Sequence, residues 1–285
     1  MLVVSGATGK LGGAIVEKLL LKLSPGELAI SVRDPAKAVH FESRGVRVRA
    51  GDFSNSESLT SSFEDAETVL IISANSVDQG VLFNANAIDA AIASGAKRIV
   101  YTSHMGASPQ SLFAPMHTHA ATEEKLKASK VAFISLRNGF YADTTLRFIL
   151  QAVKDGQLVA PEDGPVSWTT HDDLADAAAA ALTLGTTLSG LTPPLVAPNA
   201  FDFAAIAQMA SEIVGREIKR ITVSDEEFKK TLLTRGLPEP VINIFIGMFK
   251  ASRQGEFSST DSTLEKVIGK KPISLYDYLV KNVKS

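Results

Sequence analysis

The chain has 285 residues with 29 Lys plus Arg against 31 Asp plus Glu, a formal net charge of −2, so it has no surplus positive field for nucleic-acid backbones or anionic membranes. It has no cysteine, which excludes disulfides, thiolate nucleophiles, iron–sulfur clusters and Cys-ligated zinc. Hydrophobic residues at 45% and charged residues at 21% match a folded globular chain rather than a disordered or fibrous one.

The first predicted element is a strand at Leu2 to Ser5. Because it opens the sequence, it leaves no room for a charged leader and a signal-type apolar run, and no later run approaches the ~20 apolar residues of a membrane span. The expected location is therefore cytoplasmic. A helix follows over Leu11 to Leu23, where Ile15, Leu19 and Leu23 recur every fourth residue and Val16 and Leu20 widen the stripe. Further strands are expected at Leu28 to Val32, Val46 to Ala50, Thr68 to Ile72, Arg98 to Thr102 and Ala132 to Leu136. Between them runs a helix from Asp78 to Ser94, closed by Gly95. This alternation predicts an α/β fold, a Rossmann-type doubly wound parallel sheet. Beyond Asp155 the rhythm fades at Gly156, Pro161, Gly164 and Pro165. Residues 1–155 are expected to form the dinucleotide-binding domain and 156–285 a smaller, mostly helical lobe. Helices are predicted there at Leu174 to Leu182, Phe203 to Val214, Ser224 to Thr234, started by a Ser224/Glu227 capping box, and after Pro240.

Between the first strand and first helix lies Gly6-Ala7-Thr8-Gly9-Lys10-Leu11-Gly12. In that context Gly6 allows the tight turn, Gly9 lets the backbone approach a pyrophosphate, and Gly12 lets the helix lie close on the strand. The helix N-terminus offers N–H groups and a partial positive charge to the phosphates. The second strand ends in Val32-Arg33-Asp34, where an NAD-preferring unit carries an acid for the ribose hydroxyl. Arg33 and Lys37 suit a 2′-phosphate and favour NADPH, although Asp34 could serve NAD were the strand one residue longer. Asp52 is either an adenine acceptor or a turn carboxylate. Ser73, Ala74 and Asn75 lie where the loop after the fourth strand approaches a cofactor; a plain loop would look the same.

The glycine loop, together with Val32-Arg33-Asp34-Pro35-Ala36-Lys37, Tyr101-Thr102-Ser103, His119-Ala120-Ala121-Thr122-Glu123, Leu136-Arg137-Asn138-Gly139-Phe140-Tyr141 and Gly236-Leu237-Pro238-Glu239-Pro240, resembles the NmrA-like atypical short-chain dehydrogenases. The likeness spans nearly the whole chain and is greatest to the triphenylmethane and quinone reductases of that family. It implies a two-lobed fold, NADPH as cofactor, and reduction of quinones or cationic dyes. By the same resemblance Thr8, Gly9, Lys10 and Leu11 would hold pyrophosphate, Arg33 and Lys37 the 2′-phosphate, and Ser73 and Asn75 the ribose. Thr102 and Ser103 would lie beside the cofactor, and Asn138, Gly139, Phe140 and Tyr141 would line the nicotinamide side.

Ordinary short-chain dehydrogenases pair a Tyr with a Lys four residues on, because a ketone that accepts hydride must also receive a proton. Here Tyr101, Tyr141, Tyr276 and Tyr278 are followed at that spacing by Met105, Thr145, Val280 and Asn282, and Glu124 stands where many relatives carry the lysine. An acceptor that is already a strong electrophile needs little acid help, so orientation in a flat apolar slot matters most. His104, Met105, Phe140, Tyr141 and Trp168 are the candidate walls of that slot, core packing being the alternative for each. Tyr141 and His119 are the candidate acids, with solvent able to do the same work. No metal is expected: His117 and His119 diverge on a helix and no carboxylate cluster completes a site. The expectation is thus an NADPH-dependent oxidoreductase whose partner is a small aromatic electrophile, with a homodimer left open. Its rival is an NmrA-like regulator that binds the dinucleotide without chemistry, and a sugar epimerase ranks below both for want of the relay.

Overall fold

The computed structural model describes residues 1–74, 76, 78–183 and 188–283. Its first half runs β1 (Leu2–Ser5), α1 (Lys10–Leu20), β2 (Leu28–Val32), α2 (Val39–Glu42), β3 (Arg47–Ala50), α3 (Ser56–Ser62), β4 (Thr68–Ile71), α4 (Gly80–Ala93), β5 (Arg98–His104), α5 (Pro115–Ala128) and β6 (Ala132–Asn138). The second half adds β7 (Phe140–Tyr141), α6 (Asp143–Asp155), β8 (Gln157–Pro161), β9 (Trp168–Thr169), α7 (His171–Thr183), β10 (Gly190–Leu191), α8 (Phe203–Val214), β11 (Lys219–Val223), α9 (Asp225–Thr234), α10 (Glu239–Arg253), α11 (Thr263–Ile268) and α12 (Leu275–Val283).

Among the described residues the main sheet has seven strands in the order β10-β6-β5-β4-β1-β2-β3, and every neighbouring pair in it is parallel. The chain winds outward from β1 to β3, then crosses back to β4 and winds the other way. The carboxyl ends of β1 and β4 therefore diverge into a crevice, the place where open α/β sheets bind ligands. Burial on both faces explains why β1, β2 and β4 read as apolar runs rather than alternating patterns.

The expected elements are present, with informative shifts at their ends. Helix α1 stops at Leu20: the amides of Lys22 and Leu23 both turn back to the Leu19 carbonyl, and Ser24 precedes a proline, which disfavours helix there. Strands β5 and β6 each run two residues further than predicted, which brings His104 beside Asn138 in register. The short strands β8 and β11 went unread because their partners are far apart in sequence, Gln157 pairing with Lys219.

The division near residue 155 meets a more interwoven chain. After β8 and β9 the chain returns to the sheet: α7 shares a buried cluster with α1, and β10 pairs with β6. The alanines of α7 leave room for Leu11, Ile15, Val16 and Leu19 of α1 in that cluster, each such aliphatic burial stabilising by roughly 1.5–3 kcal/mol. On the opposite face α3, α4 and α5 cover the sheet. A separate core joins α6, α8, α9, α10 and α12 to Met105, Phe113 and Phe140, so the second lobe packs onto the carboxyl ends of β5 and β6.

Candidate active site

The glycine loop forms a cradle at the carboxyl end of β1. Gly6 turns at a φ of +66°, and a Cβ on Gly12 would stand 2.3 Å from the Gly6 carbonyl oxygen, so α1 can lie this close to the strand only with glycine there. Gly9 caps α1 with no side-chain partner, and the first turn holds no acid. The first intrahelical bond is made by the Gly13 amide to Gly9 at 2.8 Å. The amides of Lys10, Leu11 and Gly12 precede it and are left for an external acceptor. Thr8 and Lys10 are exposed beside them, and Leu11 is buried as the helix's first anchor.

Beyond the end of β2, Arg33 and Lys37 are exposed. The Asp34 carboxylate is turned away from a ribose-binding role: it caps the following turn by accepting from the Ala36 amide at 3.2 Å and faces Lys37 at 3.8 Å. Asp52 is a turn carboxylate. Its Oδ1 accepts from the Ser54 amide and hydroxyl, both at 2.8 Å, and these bonds, with the Arg33 charge nearby, hold its pKa below the usual range.

Across the crevice the loop after β4 is pinned from three sides. The Ile72 amide donates to Ser5 Oγ at 3.1 Å, Ser73 to Thr102 Oγ1 at 2.9 Å and Ala74 to Asn84 Oδ1 at 2.9 Å. Asn75 lies outside the described residues. Thr102 thus orients the Ser73 backbone, and buried Ser103 donates to Glu123 at 2.8 Å, so both side chains support the crevice floor from within the sheet. Glu123 also accepts from Ser135 and, on both oxygens, from Arg137. This nearly buried pair locks α5 onto β5 and β6.

Asn84 continues inward. Its amide donates to Tyr101 OH and Thr122 Oγ1, both at 3.1 Å, and Tyr101 OH lies 2.9 Å from His119 Nδ1. Burial raises the Tyr101 pKa further, Thr122 opposing it. His119 and His104 stack at 6.2 Å. Burial takes the His119 pKa down to about 4, with Glu123 pulling the other way, and burial with His119 as neighbour takes His104 down to about 3. Both are neutral imidazoles at physiological pH.

His104 packs against a buried aromatic cluster, edge-on to Phe140 at 5.2 Å and to Phe257 at 5.5 Å, with Phe113 5.6 Å from Phe140. Met105 is buried beside them. Trp168 stands behind Phe140 rather than lining the slot: it is 1% exposed and its indole N–H donates to the Phe201 carbonyl at 2.9 Å. Gly139 donates to Leu195 at 2.8 Å and carries the chain from β6 into β7. Tyr141 stacks on His171 at 4.3 Å, its pKa pushed up to about 12 by burial against the opposing hydrogen bond of Asn138. The Oδ1 of Asn138 is buried without a partner at the carboxyl end of β6.

Asp143, the first residue of α6, ties the glycine loop to α7 and α12. Its carboxylate receives Lys10 from the glycine loop, His171 Nδ1 at 3.1 Å and Tyr278 OH at 2.7 Å. Burial opposes its ionisation, but the hydrogen bonds from Lys10 and Tyr278 and the His171 imidazole outweigh it and leave its pKa lowered. A glycine cradle with three free helix amides, followed by an exposed basic pair beyond β2, fits the diphosphate and phosphate groups of a dinucleotide.

The model of the NmrA-like family matches residues 1–284. The chain belongs to the NmrA-like family. It is 30% identical over 272 residues to quinone oxidoreductase 2 of Escherichia coli, covering 94% of each chain. Its fold superposes with a TM-score of 0.94, at 28% identity and full coverage of both chains, on an E. coli NADPH-dependent quinone oxidoreductase crystallised with NADPH. On the triphenylmethane reductase of Citrobacter sp. complexed with NADP(H) the TM-score is 0.92, at 33% identity, covering 99% of this chain and 100% of that one.

In this NmrA-like chain the position of Glu124 and Lys125 on α5 carries no relay: Glu124 pairs with Lys127 and Lys125 with Asp89, while Tyr101 meets His119 instead. His117 and His119 diverge, His117 meeting the Ser111 carbonyl at 2.8 Å. Sequence reasoning missed Asn84, Phe113, Asp143, His171, Phe257 and Tyr278. Only Asn84 left a local trace, as a polar residue in the buried Gly80, Asn84, Ala87, Ile88, Ala91 stripe of α4.

Proposed function

We propose that this chain is an NADPH-dependent reductase that passes a hydride to a flat aromatic electrophile of the quinone or triarylmethane class. The observation that carries this reading is an uncapped glycine-loop helix at the carboxyl end of β1, with a basic pair, Arg33 and Lys37, exposed beyond β2. The relatives that reduce quinones and triphenylmethane dyes support the acceptor class.

Bound in the crevice, NADPH supplies the hydride. The amides of Lys10, Leu11 and Gly12 hold the pyrophosphate, with Thr8 and Gly9 beside them, and Arg33 and Lys37 hold the 2′-phosphate. Ser73 and Ala74, set in place by Thr102 and Asn84, flank the ribose, and Asn138 and Gly139 hold the nicotinamide end. Phe140, Tyr141, His104 and Met105 orient the acceptor and exclude water. Tyr141, neutral at pH 7, and His119 act as hydrogen-bond donors rather than as proton sources, so the proton comes from water. Catalysis on such acceptors rests on holding the reacting atoms within near-attack distance.

The test is NADPH consumption by the purified protein with a panel of quinones and triarylmethane dyes. Turnover well above the protein-free rate is expected on at least one class. NADPH binding without turnover on either would replace this reading with that of a dinucleotide-sensing regulator.

A further inference from the structure

We propose that His104 and His119 form a pair of fixed N–H donors that selects quinone-type acceptors over cationic dyes. The inference rests on the reductase reading above and decides between the two acceptor classes left open there.

The tautomer of each ring is set by its neighbours. The Gly106 amide donates to His104 Nδ1 at 3.1 Å, so in the neutral ring that nitrogen is the acceptor and the proton sits on Nε2. For His119 the chain is longer. The Ala74 amide fixes Asn84 Oδ1 as acceptor, so the Asn84 amide nitrogen donates to Tyr101 OH, leaving the hydroxyl to donate to His119 Nδ1 at 2.9 Å. The hydrogen-bond partners of Tyr101 OH among the described residues are the Asn84 amide nitrogen and His119 Nδ1, so its proton goes to His119. His119 therefore also carries its proton on Nε2. Neither Nε2 has a hydrogen-bond partner among the described residues, and neither is among the sealed, unpartnered buried atoms, which are Asn138 Oδ1 and Asp173 Oδ1. Two unpaired donors thus stand on part-buried rings, His104 against the aromatic cluster of Phe140, Phe113 and Phe257 and His119 stacked on His104.

These donors act differently on the two acceptor classes. Addition of a hydride, one proton with two electrons, to a quinone leaves the hydroquinone monoanion, and a proton from water completes the hydroquinone. Negative charge grows on oxygen during the transfer, and preorganised N–H groups stabilise it, one such donor being worth about 10²-fold or more in rate. Addition of a hydride to a triarylmethane cation instead quenches positive charge on carbon and creates no anionic oxygen. The donors gain nothing there, and their positive ends face a cation. The carboxylate that acts on His119, Glu123, is already taken up by Arg137, Ser103 and Ser135, so it provides no counter-charge for a dye. Aromatic faces attract a diffuse cation by roughly 0.5–2 kcal/mol, but they stack on quinones as well.

Two measurements test this. In the protein without cofactor, nitrogen-15 NMR of the imidazoles at neutral pH should report the Nε2–H tautomer for both rings; a Nδ1–H tautomer or an imidazolium at either would overturn the proposal. In steady-state assays, His104→Phe keeps the ring packing and removes the donor. It should lower kcat on quinones by about 10²-fold and lower the rate on a cationic triarylmethane dye far less. His119→Gln, whose amide can accept from Tyr101 and still donate, should retain more quinone activity than His119→Phe. Equal losses on quinone and dye, or no loss on quinones, refute the donor pair while leaving the reductase reading intact. No turnover by the wild-type protein on either class refutes both.

Discussion

Arg33 lies exposed past the end of β2 and makes no hydrogen bond among the described residues, while its neighbour Asp34 is occupied as a turn cap. Those two facts favour a 2′-phosphate over a free ribose hydroxyl as the partner proposed for Arg33. A guanidinium paired with a phosphate is a charge-assisted contact worth about 1.5–3 kcal/mol. Arg33→Ala is therefore expected to raise the Kd for NADPH roughly 10- to 100-fold while changing that for NADH little, and equal losses by calorimetry would remove the 2′-phosphate assignment. Arg33 was legible in the sequence because the glycine loop, the strand and the basic pair follow one another directly. Asn84 and Tyr101 were not, because their roles depend on partners 17 and 38 residues from Asn84. No local periodicity encodes those pairings.

Among elements, the first turn of α6 holds the lobes together. Asp143 gathers Lys10 from α1, His171 from α7 and Tyr278 from α12, and a carboxylate there also complements the helix dipole. Lys10 is largely exposed, so its share is small; the partly buried His171 and Tyr278 contacts carry the effect. Asp143→Ala is expected to lower stability to urea by roughly 1–3 kcal/mol without weakening NADPH binding, since Lys10 is then free for phosphate. An unchanged midpoint would show that the lobes are held elsewhere. Six of the helices (α1, α4, α7, α8, α9 and α10) and the first six strands could be read from β-branched runs and four-residue stripes, and the Ser224/Glu227 capping box fixed the start of α9 to the residue. The pairing of β8 with β11 and the return of α7 to the sheet could not, since short strands and alanine-rich helices carry little pattern of their own.

For the whole molecule, the part-buried imidazoles of His104 and His119 link stability to pH. His104 and His119 bind protons far less readily folded, at about 3 and about 4, than unfolded, near 6.5. Below about pH 6.5 the unfolded chain gains protons that the folded one does not, so stability is full above that value and falls as the pH drops toward 4. His171, also lowered by burial, adds in the same direction. Asp163 and Asp173, raised by burial, act with the opposite sign. Between pH 7 and about pH 5 each of the two slot imidazoles is expected to contribute a loss on the order of 1–2 kcal/mol. Urea titrations should show His104→Phe with a shallower pH dependence than the wild type, and identical slopes would contradict the burial of a neutral ring.

The most direct test of the central claim is a calorimetric titration of the intact protein with NADPH. One-to-one binding is expected, displaced by adenosine carrying a 2′-phosphate together with a 5′-phosphate and only feebly by the analogue lacking the 2′-phosphate. No heat with either reduced or oxidised coenzyme at millimolar excess would contradict the grip of the Gly6 to Gly12 backbone on a nucleotide diphosphate, and with it the proposed chemistry.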